Sequence, residues 1–236
     1  MKLVLKNIDK SYGDKQVLKK VSYTFEKGKI YGLLGRNGAG KTTLFNCISG
    51  EIKYDNGNVT IIEDGKETED INYRKVGYVF SEPALPEFLT GYEFLRFYID
   101  INKDKIKKLL TIDEYFDIIK INEEDRYRLI KGYSHGMKNK MQMICILITK
   151  PPVILLDEPL TSFDVVVALE IKNLIIKMKS EHIIIFSTHI LQLATDLCDE
   201  ILVLNNYILE EVDSEVLKSV EFEEKIVEIL KEKGND

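Results

Sequence analysis

Three short stretches hold the residues able to do chemistry. Gly35-Arg36-Asn37-Gly38-Ala39-Gly40-Lys41-Thr42 fills the pattern G-x-x-x-x-G-K-[ST], followed by Thr43. Such a loop turns successive backbone N–H groups toward an anion at the positive end of the helix it opens. Lys41 then reaches the outer phosphates of a nucleotide and the Thr42 hydroxyl is offered to Mg²⁺. The glycines at 35, 38 and 40 keep side chains out of the way. The second stretch is Asp157-Glu158, directly after the apolar run Val153-Ile154-Leu155-Leu156. Carboxylates at the C-terminal end of a parallel strand sit where open α/β sheets bind ligands, and Asp157 is the metal partner that the phosphate loop lacks. The third is His189, which follows the run Ile183-Ile184-Ile185-Phe186 and, if the two strands are neighbours, faces the same crevice. Two plainer explanations stand beside these: a glycine-rich turn with no ligand, and acidic or histidine residues serving only as turn residues.

The elements that must position these groups follow from periodicity. Ile30 to Leu34 is a short apolar run suited to a buried parallel strand, and the helix after the loop runs from Thr43 to Ser49, ending near Gly50. Upstream, Lys2–Asp9 and Val17–Phe25 alternate apolar and polar residues about the turn Ser11-Tyr12-Gly13-Asp14, which predicts an antiparallel flank. Tyr12 is placed either to stack on a purine base or to be an ordinary turn tyrosine. Val59–Ile62 and Val76–Phe80 are further strand candidates. From Ser81 the character changes: after Pro83 and Pro86 the spacing predicts helices over Gly91–Asp100, Asp104–Leu110, Ile112–Ile119, Glu123–Lys131 and Lys138–Thr149. Asp164–Met178 reads as an amphipathic helix, Ile201–Leu204 and Tyr207–Leu209 as a closing hairpin around Asn205-Asn206, and Ser214–Lys233 as a charged helix that either caps the domain or meets a second copy. The aromatics Phe88, Tyr92, Phe94, Phe97, Tyr98, Tyr115 and Phe116 are expected in a core or at a protein interface.

Composition narrows the classes. The 236 residues, 44% of them apolar, are enough for one large domain, and the net charge of −6 argues against a broad nucleic-acid surface. Cys47, Cys145 and Cys198 are odd in number and lack metal-ligand spacing, so they are expected as buried thiols in a reducing cytoplasm. No apolar run approaches the ~20 residues of a membrane-spanning helix, and the N-terminus lacks the apolar core of a signal peptide. The expectation is a soluble protein that stays inside the cell.

With these elements in this order, the chain resembles the nucleotide-binding subunit of ATP-binding cassette (ABC) transporters over nearly its whole length, and is most similar to the type-2 exporter group. The phosphate loop resembles Walker A and Val153–Asp157 with Glu158 resembles Walker B and its adjacent glutamate. Tyr133-Ser134-His135-Gly136-Met137 is similar to the more specific signature sequence, with Ser134 lying 23 residues before Asp157. Thr161-Ser162-Phe163-Asp164 is similar to the D-loop, His189 to the switch histidine, and Tyr12 to the adenine-stacking aromatic.

The resemblance implies an α/β fold: a P-loop NTPase core with a mixed, largely parallel sheet, an N-terminal antiparallel β flank and an inserted α-helical subdomain. Residues 1–80 and 151–236 would form the core, and 81–150 the insert. It also implies roles. Lys41 and the loop from Gly35 through Thr43 hold the phosphates of ATP, Thr42 and Asp157 fix Mg²⁺, Glu158 polarises the attacking water, and His189 aligns it. Ser134 and Gly136, with Asp164, complete the site of a second nucleotide-binding domain in a head-to-tail dimer. A separate transmembrane permease carries the cargo, which places the chain in the cytoplasm on the inner face of the membrane. Phe88, Leu89, Tyr92 and Phe94 are candidate anchors for a permease helix. Alternatives within the superfamily are a soluble assembly ATPase and a slow-hydrolysing regulatory member. Two positions depart from the family pattern: His135 and Met137 within the signature, and Ser81-Glu82 where a metal-contacting glutamine usually follows the strand. Glu82 is the expected replacement as metal ligand.

Overall fold

The computed structural model describes residues 1–68, 75–106, 109–159, 165–213 and 222–231, omitting side chains at 165–167 and at 222, 223, 227, 230 and 231. Its framework is two sheets. Strands β1 (Lys2–Tyr12) and β2 (Lys15–Glu26) form an antiparallel hairpin, and β4 (Asn56–Glu63) with β5 (Lys66–Thr68) extends it in the order β2-β1-β4-β5. The second sheet contains β3 (Ile30–Leu34), β6 (Val76–Val79), β7 (Val153–Asp157), β8 (Ile183–Thr188), β9 (Glu200–Asn205) and β10 (Ile208–Glu211) in the order β10-β9-β3-β8-β7-β6. All its pairs are parallel except β9 with β10. Every residue of β3, β7 and β8 is buried, as expected of unbroken apolar runs in a parallel sheet covered on both faces.

Side-chain alternation along those strands feeds two cores. Tyr31, Leu33, Val153 and Leu155 join the apolar face of the β1–β2–β4 sheet and helix α1 (Lys41–Ser49), which is held between the sheets by Leu44, Phe45 and Ile48. Ile30, Ile154, Leu156, Ile184 and Phe186 face the other way, toward Met143 and Ile146 of α5 (His135–Thr149) and Ile171 and Ile175 of α6 (Val165–Met178). A separate helical core gathers Phe94, Leu95 and Ile99 of α2 (Gly91–Ile101), Tyr115 and Phe116 of α3 (Ile112–Ile118), and Met141, Ile144 and Ile148 of α5. Here α5 belongs to two cores at once and joins the helical insert to the sheet. After α7 (Leu191–Leu197), helix α8 (Phe222–Lys231) buries Ile226 against Leu34, Ala194 and Val203, and Asn205 Nδ2 donates to the Ile229 carbonyl at 2.6 Å. The C-terminal helix is therefore a cap on this domain.

Several expected elements differ. Within Asp104–Leu110 the described residues form only a 3₁₀ turn, Lys103–Lys105, and the helix expected over Glu123–Lys131 is a single turn, α4 (Glu123–Arg126). The reason is tertiary: the Ile130 and Lys131 N–H groups donate to the Leu89 and Glu87 carbonyls, at 2.9 and 3.1 Å, and Thr90 bridges Leu129. Backbone groups engaged in that pairing cannot continue a helix. Conversely, α5 starts at His135, three residues earlier than expected, because Ser134 caps it by accepting from the Met137 N–H at 3.2 Å. The β9–β10 turn is centred one residue later than expected: Asn206 and Tyr207 both take positive φ (47° and 70°), the pattern of a two-residue hairpin turn without glycine. Phe94 is buried in the helical core whereas Phe88 is 79% exposed, so the expected row of anchors divides. The cysteines are free, and burial pushes the Cys47 thiol up to about 11.

Phe116 is fully buried at the centre of the helical core, away from the phosphate loop. Phe116→Ala should cost about 3–5 kcal/mol in chemical denaturation, with nucleotide affinity of the folded fraction unchanged in equilibrium titration.

Candidate functional site

The phosphate loop spans the six residues between β3 and α1 and is shaped by packing on both sides. Gly40, at the N-cap of α1, has φ 108°, and a Cβ there would come within 2.8 Å of Val17 Cγ1. A Cβ on Gly35 would meet the Leu204 carbonyl oxygen of β9 at 2.8 Å. Any other residue at either position forces the loop off the hairpin β1–β2 or off the sheet. Lys41 is buried, 6% exposed, and its Nζ donates to the carbonyls of Gly35 at 2.8 Å and Arg36 at 3.3 Å. Burial pushes the lysine pKa down, and the Glu158 and Asp157 carboxylates oppose that. Arg36, Asn37 and Gly38 are exposed at the rim, with Ala39 behind them.

The carboxylates reach this loop because of strand order. Since β8 lies between β3 and β7, and Asp157 pairs in register with Ser187, the ends of all three strands open on one crevice. Thr42 Oγ1 donates to Asp157 Oδ2 at 2.8 Å, and the fully buried Ser187 hydroxyl donates to Asp157 Oδ1 at 2.5 Å. The same Ser187 oxygen accepts from the Glu158 N–H at 3.0 Å. Glu158 sits at φ 49°, a left-handed backbone that costs a non-glycine residue roughly 1–2 kcal/mol. The Ser187 bond helps to hold that turn, which aims the glutamate side chain between Lys41 Nζ (3.9 Å) and His189 Nδ1 (3.1 Å). Tyr78 Oη also donates to Asp157 Oδ2, at 3.4 Å, and burial raises the Tyr78 pKa, so the phenol stays a donor.

These groups border a cavity of about 500 Å³ lined by Tyr12, Lys15, Val17, Asn37, Gly38, Gly40, Lys41, Thr42, Thr43, Ser81, Asp157 and Glu158. Arg36 and Ala39 line an adjoining hollow of about 270 Å³ on the outer side of the loop. Tyr12 is half-exposed at the cavity rim, with Lys10 Nζ 5.3 Å from its ring centroid. The structure thus brings the phosphate loop, Tyr12, Asp157 and Glu158 to one place, with His189 joined through Glu158. Ser134 and Gly136 are not among the cavity residues: Ser134 is exposed at the start of α5. Of the pair after β6, Ser81 lines the cavity while Glu82 is exposed outside its lining. Asp164 lies outside the described residues, as do Thr161, Ser162 and Phe163.

Thr42 and Asp157 offer Mg²⁺ two hard oxygen donors already in contact, and among the described residues no group of three or more His, Cys, Asp or Glu side chains could hold a metal. That donor set fits an ion that keeps water and phosphate oxygens as its remaining ligands. Sequence reasoning missed Ser187, Tyr78 and Lys15. The register of two neighbouring strands would have found Ser187, once β7 and β8 were known to pair.

Comparison with known proteins accords with this geometry. A family model described as ABC transporter matches residues 18–161. An uncharacterised ABC transporter ATP-binding protein, MJ1023, of Methanocaldococcus jannaschii is 33% identical across 100% of this chain and 92% of its own length. The lantibiotic transport ATP-binding protein SrtF of Streptococcus pyogenes is 32% identical over 84% of each chain, and the bacitracin transport ATP-binding protein BcrA of Enterococcus faecalis is 31% identical over 88% of this chain and 68% of its own. A solved structure of the ATP-binding subunit of an ABC transporter superposes with TM-score 0.82 at 25% identity, covering 98% of this chain and 100% of that one. The chain belongs to the ABC transporter family, as an ATP-hydrolysing subunit of an ATP-powered membrane transporter.

Proposed function

We propose that this subunit drives export through a separate transmembrane permease, as one of two nucleotide-binding domains that close on ATP and reopen after hydrolysis. The observation that carries the proposal is the cluster of Lys41, Thr42, Asp157 and Glu158 on one cavity, while Ser134, at the start of α5, lies exposed and outside it. Such a cavity has the phosphate loop and the carboxylates of Asp157 and Glu158 in its lining. A second copy placed head to tail would bring the Ser134 and Gly136 end of its own α5 over the γ-phosphate. Asp164, in the same reading, contacts the nucleotide from across that interface.

Within the cavity, Tyr12 stacks on adenine, the loop amides from Gly38 to Thr43 and the Lys41 ammonium hold the β- and γ-phosphates, and Glu158 accepts a hydrogen bond from the attacking water. His189, linked to Glu158, aligns that water against the γ-phosphate. Thr42 and Asp157 would hold Mg²⁺, which when bound would supply positive charge to the phosphate oxygens. Positioning and electrostatics do most of the work in phosphoryl transfer, which fits a site built from fixed backbone amides and a restrained carboxylate. Export, rather than import, is supported by the lantibiotic and bacitracin relatives and by the Tyr133–Met137 form of the signature. The subunit then works in the cytoplasm, on the inner membrane face, with residues 81–150 as a helical subdomain on a core of 1–80 and 151–236. No described helix is long and apolar enough to cross a membrane, and the exposed Phe88 is the apolar anchor offered to the permease.

Glu158→Gln is expected to lower turnover by at least about 100-fold while ATP binding persists. Pull-down of the tagged full chain from detergent-solubilised membranes should recover a multi-span protein; recovery of soluble partners alone would count against the transport reading of this chain. Ser187→Ala should cost about 1–3 kcal/mol of stability and reduce kcat with little change in ATP affinity, read from denaturation and steady-state kinetics together. Ligation by Glu82 requires its carboxylate to swing in from the rim, so Glu82→Ala should raise the Mg²⁺ concentration needed for half-maximal turnover. An unchanged Mg²⁺ titration in that variant, with a shifted one in Ser81→Ala, would assign the place to Ser81.

A further inference from the structure

Gln142 is a buried polar side chain, 7% exposed, in the middle of α5, two helical turns beyond Ser134. Its amide makes a paired contact with the backbone of one residue, Phe80. Oε1 accepts from the Phe80 N–H at 3.2 Å, and Nε2 donates to the Phe80 carbonyl at 3.1 Å, with a second donation to Asn139 Oδ1 at 3.0 Å. Phe80 is the first residue past β6, the edge strand of the parallel sheet, and its neighbour Val79 is the last to pair with β7. A planar amide presents a donor and an acceptor side by side, so Gln142 engages both backbone groups of Phe80 as a neighbouring strand would. The near-isosteric Met at 142 could fill the space but would leave both of those groups without this partner.

What lies on each side of this contact gives it meaning. Ser81, the next residue, lines the nucleotide cavity. The Phe80 ring lies 4.2 Å from that of Tyr78, whose hydroxyl donates to Asp157. In the other direction Gln142 is rigidly joined through α5 to the exposed cap residue Ser134. We propose that Gln142 is a positioning residue for ATP hydrolysis: it ties the middle of α5, and through the helix its Ser134 end, to the Phe80–Ser81 segment, so that displacement of α5 and the alignment of Ser81 and Asp157 in the cavity change together. This rests on the reading that the start of α5 meets the nucleotide held by a second copy. A purely structural role would only finish an edge strand, and its loss would lower stability without touching the chemical step.

The test compares the full-length wild type with Gln142→Met, using equilibrium binding of Mg-ATP, steady-state turnover, and ATP-dependent dimerisation by light scattering. The expected result is ATP affinity within about twofold of wild type, with kcat reduced by roughly 10- to 100-fold and the ATP-induced dimer weakened. Turnover within twofold of wild type, or a fall in kcat matched by an equal loss of ATP affinity, would overturn the proposal. If Gln142→Met does not fold, Gln142→Glu carries the test: it keeps an acceptor for the Phe80 N–H, loses the donor, and should show the same split between kcat and affinity. A wild type that hydrolyses ATP and dimerises, beside variants that match it, rejects the role of Gln142 and leaves the dimer reading standing. A wild type that turns over ATP but never dimerises, with the variants again equal to it, removes both.

Discussion

The site depends on a buried ammonium. Lys41 is the first residue of α1, almost wholly out of water, and a charge in that position must be answered by oxygen on every side. Two loop carbonyls answer it directly, and Glu158 stands at 3.9 Å. Those partners are dipoles and one half-buried carboxylate, which is modest compensation for a desolvated cation beside a helix N-terminus; the pKa of Lys41 is accordingly pushed down by burial. A polyphosphate is the stronger partner, since it brings several negative oxygens into the same space. The loop geometry follows from this requirement. The close approach of Gly35 to the Leu204 carbonyl and of Gly40 to Val17 leaves the loop backbone no room to relax away from the lysine.

Strand order then decides what else can reach that charge. Sequence order runs β3, β7, β8, whereas spatial order runs β3, β8, β7, so β8 is inserted between the phosphate loop's strand and the carboxylate strand. The consequence is that Ser187, at the end of β8, occupies the centre of the polar cluster and contacts both Asp157 and the Glu158 backbone. His189, two residues farther on, emerges beside Glu158. Thr42 spans the remaining distance from α1 to Asp157. The left-handed turn at Glu158 is the local strain in this arrangement, and it occurs at the residue whose side chain stands between Lys41 and His189.

Much of this was legible in the sequence because the chemistry is written in short contiguous motifs. Ile30–Thr42 reads as a strand, a loop and a helix start, and the apolar runs of β3, β7 and β8 read as buried strands. The antiparallel flank is suggested by alternation, less cleanly in its second strand, and the expected turn at 11–14 narrows to Gly13-Asp14, because Ser11 and Tyr12 continue β1 and pair with Gln16 and Lys15. What was not legible depends on partners far along the chain. The Ser187 contact needs β8 to be the neighbour of β7. The segment 123–131 carries a helical pattern, yet tertiary pairing of residues 129–131 with 87–90 takes the backbone groups that a helix would use. Gln142 is invisible for the same reason: in sequence it is one of several polar residues along α5, and only the arrival of Phe80 sixty-two residues away gives its amide two backbone partners. The hairpin turn at Asn206-Tyr207 shows a smaller limit, since a non-glycine pair holding positive φ is unexpected until the register of β9 and β10 demands it.

The helical insert and the sheet are joined by α5, and α5 serves two packing environments. One face carries Met141, Ile144 and Ile148 into the helical core; another carries Met143 and Ile146 into the sheet core. Apolar contacts of this kind are non-directional, so they tolerate small sliding of the helix along the sheet. A hydrogen-bonded contact is directional, and Gln142 supplies one at the end of β6, beside the cavity. The energetics therefore divide the labour along one helix. Burial keeps α5 attached through a displacement, while the amide at 142 makes the displacement register at Phe80 and Ser81. A helix held by apolar surface alone could shift at its Ser134 end without any change at the nucleotide. With one polar pair placed between them, the two ends of the path cannot move independently without breaking two partly buried hydrogen bonds, each worth about 1 kcal/mol net.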